Sequence, residues 1–134
     1  ISDDSGLCIE CLNNEPGIYS ARWAKKYGGF KPAMLKIIEL VKNKNKNKKK
    51  QNVKAKFICS LTICFNLKKI FSTTGVIQGK ISNKIVGKNG FGYDSIFIPK
   101  GHSQTFGQMA KKRKMLIDHR FVAFTKLKKI INIL

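Results

Sequence analysis

Val53-Lys54-Ala55-Lys56-Phe57-Ile58-Cys59-Ser60-Leu61-Thr62-Ile63-Cys64-Phe65 carries an apolar residue at every odd position. Seven successive apolar residues at period two describe a β-strand with one side packed on a core. Lys54, Lys56, Ser60 and Thr62, lying between them, face the other way. A helix would scatter the same residues around its whole circumference.

Downstream, Lys69 to Ile77 reads as a second strand paired as a hairpin neighbour, and Gly79, Gly87 and Gly90 punctuate the turns that follow. Tyr93 to Pro99 reads as a further strand and Thr105 to Leu116 as a short helical segment. Asp118 can cap a last helix with an apolar stripe of Phe121, Phe124, Leu127, Ile131 and Leu134. Upstream, Pro32 to Val41 predicts a helix: proline suits a first turn, and Met34, Ile37, Ile38 and Val41 recur at helical spacing. Asn13-Asn14-Glu15-Pro16-Gly17 is turn chemistry, and Asp3 to Leu12 reads as a loop passing into a short apolar stretch. Strands bracketed by helices make an α/β domain.

At 134 residues and 15.1 kDa the chain is a single domain, 1–134, large enough for a real core. No apolar run reaches the ~20 residues of a membrane span, and no signal pattern opens the sequence, so no membrane partner and a cytoplasmic location are expected. The chain opens on Ile1, within what reads as the end of a strand, which suggests a fragment truncated at its N-terminus.

A formal charge of +20 could attract a polyanion. Yet the basic residues track a general excess of Lys, Asn, Ile and Phe, and residues 42–52 read as a solvated low-complexity Lys/Asn loop. A nucleic-acid partner is therefore not expected, although a non-catalytic basic nucleic-acid-binding protein is the rival reading. Cys8 and Cys11 have the CxxC spacing, but Cys59 and Cys64 form no second knuckle, so ordinary thiols are expected rather than zinc.

Three short stretches could carry chemistry. Asp3-Asp4-Ser5-Gly6-Leu7 offers hard oxygen ligands for Mg²⁺ and a carboxylate able to accept a proton from water, or alternatively a turn or cap. Gly90-Phe91-Gly92-Tyr93-Asp94 offers aromatic faces for stacking beside a glycine and an acceptor, or a tight turn leading into core aromatics. His119-Arg120 stands at a helix start, where Arg can donate to O6 and N7 of a 6-oxopurine, or is an exposed pair near a cap. Among Lys111, Lys112, Arg113 and Lys114, charge alone singles out no phosphate ligand.

The chain resembles the C-terminal two-thirds of an inosine triphosphate pyrophosphatase. The matching blocks stand in the family's order: Asp-Asp-Ser-Gly-Leu (3–7), Pro-Gly-Ile-Tyr-Ser-Ala-Arg (16–22), Asn-Gly-Phe-Gly-Tyr-Asp (89–94), Thr-Phe-Gly (105–107) and His-Arg (119–120). The resemblance implies a two-lobed mixed sheet flanked by helices, with a nucleotide cleft between the lobes, in a homodimer. It implies Mg²⁺-dependent hydrolysis of ITP, dITP or XTP to the monophosphate and pyrophosphate, which removes non-standard purines from the nucleotide pool. Asp4 would be the metal-associated proton acceptor, supported at the metal by Asp3, and Ser5 would touch the nucleotide. Phe91, Gly92, Tyr93 and Asp94 would form the base pocket, Phe91 stacking. Lys114 falls at the family's phosphate- or substrate-binding lysine, and His119 and Arg120 would read the purine edge.

The sequence also departs from that pattern. The family's N-terminal Ser/Thr-x-Asn-x-x-Lys loop and an acidic metal ligand have no counterpart here, which makes an inactive remnant a second rival. Ser95 replaces a proline, Asp118 a serine, and Gln108 and Lys80 stand at commonly acidic places.

Overall fold

The structure, a computed structural model, describes residues 1–46 and 53–133. The alternating segment is strand β3 (Lys54–Phe65), and it pairs along its length with β4 (Lys69–Ile81). Asn66 and Leu67 turn the chain between them with φ of 51° and 59°. β1 (Ser2–Ile9) flanks β3 on its other side, β2 (Glu15–Gly17) flanks β1, and β5 (Phe97–Pro99) flanks β4.

The five strands lie in the order β2-β1-β3-β4-β5, and every pairing is antiparallel. The expected α/β class holds, and its sheet is antiparallel rather than mixed across the described residues. Two helices, α1 (Ser20–Tyr27) and α2 (Phe30–Lys44), connect β2 to β3 as a crossover would. Those two strands do run the same way, but β1 lies between them.

Burial follows the alternation. Leu7 and Ile9 of β1 share a face with Ala55, Phe57, Cys59 and Leu61 of β3, and all are buried. Helix α2 covers one end of that face with Ala33, Met34, Ile37 and Val41, and α4 (His119–Ile133) covers the other. The core accordingly divides in two. A larger cluster includes Phe57, Phe97 and Phe106, and a smaller one joins Cys59 and Leu61 to Ala123 and Leu127.

Several boundaries differ from the sequence expectations. Helix α2 extends to Lys44, because lysine is a good helix former and nothing breaks the helix earlier. Lys42 to Lys44 are therefore helical rather than loop, and residues 47–52 of that run lie outside the described residues. Asp3 and Asp4 belong to β1, not to a loop, since β1 pairs with β3 from Ser2 onward. Only Phe97–Pro99 of the Tyr93–Pro99 segment is strand; Asp94–Ile96 is a single 3₁₀ turn. Thr105 to Leu116 splits into a 3₁₀ turn at Phe106–Gln108 and the short α3 (Lys111–Lys114).

Asp118 caps α4 as expected, its Oδ1 accepting the Phe121 N–H at 2.8 Å. Of the expected stripe Leu127 is buried, joined by Ala123, while Phe121, Phe124 and Ile131 are exposed and Leu134 lies outside the described residues. The cause is Gly75 of β4. A Cβ there would overlap the His119 carbonyl oxygen and the Ala123 nitrogen, so the missing side chain lets α4 seat with its small residue inward. Thr73 Oγ1 donates to the Ala123 carbonyl and Lys126 Nζ to the Thr74 carbonyl, each at 2.8 Å, and these bonds fix the contact. Among the described residues no helix is long and apolar enough to cross a membrane.

Candidate active site

Strand β1 and the first turn of α4 meet at an ion pair between residues 117 positions apart. Arg120 Nε donates to Asp3 Oδ2 at 2.8 Å. Asp3 Oδ1 in turn accepts from Ser5 Oγ at 3.1 Å and from Cys59 Sγ at 3.4 Å. Burial works to raise the Asp3 pKa, but the Arg120 bond and charge, with Cys59 and Ser5, outweigh it and hold the carboxyl below its usual value. Burial pushes the Cys59 thiol up, keeping it a neutral donor.

The Arg120 guanidinium also lies over the ring of Phe91, its Cζ 5.0 Å from the centroid. Phe91 is 63% exposed, an unusual setting for a large aromatic held beside two cations. The second cation is Lys114, whose Nζ is 4.7 Å from the same centroid. Cations over an aromatic face are attracted by about 0.5–2 kcal/mol, more as water is excluded.

The loop that presents Phe91 is pinned from beneath. Asp94 Oδ2 accepts both the Phe91 N–H at 2.9 Å and Lys114 Nζ at 2.6 Å, and Asp94 and Lys114 are both buried. Gly90, at φ 75°, allows this turn, and a Cβ there would collide with the Asp94 carboxylate. Thr105 and Gln108 form a reciprocal capping box, so the amide at a commonly acidic place still closes that turn.

The structure therefore divides the residues named from sequence. Asp3, Ser5, Phe91 and Arg120 come together at the surface, with Lys114 and Asp94 directly below. Tyr93 lies in the core: its hydroxyl donates to the Ser20 carbonyl at 2.6 Å, and burial pushes its pKa up to about 12. Gly92, at φ 61°, supplies the turn before it.

His119 also turns inward. It is 3% exposed and stacks on Phe57 at 4.8 Å, and its Nδ1 has no hydrogen-bond partner among the described residues. Burial first, then the Arg120 charge, lowers its pKa to about 4, so the ring is neutral at pH 7. Of the His119-Arg120 pair, the arginine faces the open side.

Asp4 stands apart. Asp3 is in register with Leu61 and Asp4 with Ser60, so strand alternation sends the two carboxylates to opposite faces of the sheet. Asp4 is exposed and makes no side-chain hydrogen bond or ion pair among the described residues. It suits Mg²⁺, which can be held by one carboxylate together with substrate phosphates. Asp3, expected beside it at the metal, has both oxygens engaged in the structure, Oδ1 by Ser5 and Cys59 and Oδ2 by Arg120. No group of three or more His, Cys, Asp or Glu side chains forms a metal site among the described residues.

Cys59 and Phe57 were not singled out for the site from sequence, since both sit within an ordinary core stripe. Their contacts with Asp3 and His119 follow from strand and helix packing over long sequence separations. A cavity of about 570 Å³ lies elsewhere, lined by Lys54, Lys56, Lys80 and Lys100 among others, and by none of Asp3, Phe91, Asp94, Lys114 or Arg120. Convergent side chains locate the site better than that volume does.

Residues 1–130 match the model of the Ham1 family. A protein of Campylobacter jejuni named dITP/XTP pyrophosphatase is 42% identical over 135 aligned residues, covering 100% of this chain and 64% of the relative. One of the same name from Zymomonas mobilis is 38% identical, covering 95% of this chain and 59% of the relative. A solved HAM1 protein from Coxiella burnetii superposes with a TM-score of 0.88 at 31% identity, covering 99% of this chain and 66% of that one. The Ham1 protein of Staphylococcus aureus gives 0.77 at 35% identity, covering 97% and 65%. The chain thus spans about 59–64% of the length of these two curated relatives.

Proposed function

The chain belongs to the Ham1 family, and we propose that the protein hydrolyses ITP, dITP or XTP to the nucleoside monophosphate and pyrophosphate. The observation that carries this reading is the exposed Phe91 ring with the Arg120 guanidinium held over it. A planar base stacks on such a ring with a gain of about 1–3 kcal/mol. With Nε engaged by Asp3, Arg120 keeps its two Nη groups for the acceptors O6 and N7 of hypoxanthine or xanthine. Adenine would set its N6 donor against those donors. The names of the relatives, dITP/XTP pyrophosphatase, agree with this selection.

Lys114 enters the proposal differently from the phosphate- or substrate-binding lysine that the resemblance implies. Its ammonium is engaged by Asp94, so it holds the Phe91 loop in place rather than waiting for an anion. Tyr93 fixes the same loop to the start of α1, and His119, next to Arg120 in α4, stacks on Phe57 in the core. Ser5, bonded to Asp3, lies beside the nucleotide.

Asp4 is the proton acceptor for the water that attacks phosphorus as the anhydride bond breaks. When bound there with the substrate phosphates, Mg²⁺ supplies charge neutralisation for the triphosphate and the departing pyrophosphate. A homodimeric, cytoplasmic enzyme completes the proposal.

Magnesium-dependent pyrophosphate release from ITP, with ATP and GTP as controls, tests it. Faster release from ITP than from ATP, with all release abolished in Asp4→Asn and the preference weakened in Arg120→Ala, is the expected pattern. Equal release from all three nucleotides would contradict the assignment of the base site.

A further inference from the structure

We propose that Asp3 is a positioning residue for base selection, acting through Arg120, and that it is not a ligand of the metal. The inference rests on the proposed base site and assigns its specificity to a residue that would not touch the base.

Arg120 is a long side chain on the first turn of α4, and left alone it would sample many rotamers in solvent. Asp3 removes that freedom from one side and Phe91 from the other. The bond to Asp3 uses Nε, the inner nitrogen of the fork, so both Nη groups lie at the outer end without a partner among the described residues. A guanidinium anchored through Nε presents its remaining edge in a defined plane. Asp3 is itself fixed: β1 pairs it with Leu61, and Ser5 and Cys59 both donate to Oδ1. The carboxylate is thereby oriented with Oδ2 toward α4. Strand, carboxylate, guanidinium and ring form a chain of contacts that sets donor geometry before a base arrives, which lowers the ordering cost of binding.

Neighbouring Asp4, on the opposite face with no side-chain bond among the described residues, is available for the chemistry at phosphate. Two adjacent acids thus divide the work by strand alternation, one toward base recognition and one toward phosphate.

The test is equilibrium binding of inosine 5′-monophosphate and adenosine 5′-monophosphate to the chain, followed by NMR with EDTA present so that no metal contributes. Wild-type chain should prefer the inosine nucleotide and show a slowly exchanging Arg120 Nε–H resonance. Asp3→Asn should weaken inosine monophosphate binding about tenfold, reduce the preference and abolish that resonance. Asp3→Glu, which keeps the carboxylate, should retain part of each. In an Arg120→Lys background, Asp3→Asn should have no further effect, because the residue acts through the guanidinium.

Wild-type chain that does not prefer inosine monophosphate overturns the base site and this inference together. Wild-type preference that Asp3→Asn leaves intact overturns the inference alone. So does an Asp3→Asn effect that appears only when Mg²⁺ is added, since that would mark Asp3 as a metal ligand.

Discussion

Lys114 Nζ donates to Asp94 Oδ2 over 2.6 Å, with the two side chains only 8% and 5% exposed. Breaking a buried pair by removing one partner costs about 3–5 kcal/mol, because the other charge is left without compensation. Lys114→Ala is therefore expected to lower unfolding free energy by about 3 kcal/mol in urea titration. A surface lysine awaiting a phosphate would change stability by no more than a few tenths of a kcal/mol.

His119 makes stability depend on pH. Its folded pKa is about 4 against 6.5 for the free side chain; burial is the first cause, the Arg120 and Lys114 charges add to it, and Asp118 and Asp3 oppose it. Between those values the unfolded chain binds more protons than the folded one, so stability rises with pH through that window. The contribution is complete above pH 6.5 and is lost as pH falls toward 4, on the order of 3 kcal/mol in all. His119→Phe keeps a ring on Phe57 and removes both the proton and an Nδ1 that has no hydrogen-bond partner among the described residues. Thermal melts from pH 4 to 7 should show a flatter profile for this variant than for wild type.

Gly75 sets where α4 lies. Any Cβ there overlaps backbone of His119 and Ala123, which a flexible side chain cannot relieve. Gly75→Ala should cost about 2 kcal/mol or more, since overpacking a tight contact typically costs 1–3. Because Arg120 rides on the same turn, the variant should also lose the preference for ITP over ATP in steady-state assays.

Lys54 and Lys80 stand directly opposite each other on β3 and β4, both exposed. Like charges in that position destabilise a sheet, and an opposite pair contributes about 0.2–1 kcal/mol. Lys80→Glu should raise the urea midpoint slightly at low salt, with the gain shrinking as salt is added.

The parts of this molecule legible in its sequence were those settled locally. β3 announced itself by period two, α2 by its helical spacing, and Asp118 as a cap by its place before an apolar run. The blocks around Asp3, Phe91 and Arg120 marked the surface that the fold brings together. What could not be read was anything decided by a distant partner. Whether Asp3 and Asp4 diverge depends on β1 continuing through them, which its pairing with Thr62, Leu61 and Ser60 determines. That Lys114 is buried depends on the Asp94 carboxylate reaching it from another loop. The α4 stripe misled because large residues outweigh Ala123 in any hydrophobic pattern, while a glycine on β4 chose the alanine for the interface.

Pyrophosphate release from ITP, ATP and GTP in Mg²⁺ is the measurement to make first. It should be made on the chain alone and on the chain joined to the part of its relatives' length that it does not cover. The joined protein should release pyrophosphate from ITP at least about a hundredfold faster than from ATP, with Asp4→Asn inactive. A well-folded joined protein that leaves ITP intact would contradict the proposed activity and bring the basic nucleic-acid-binding reading forward.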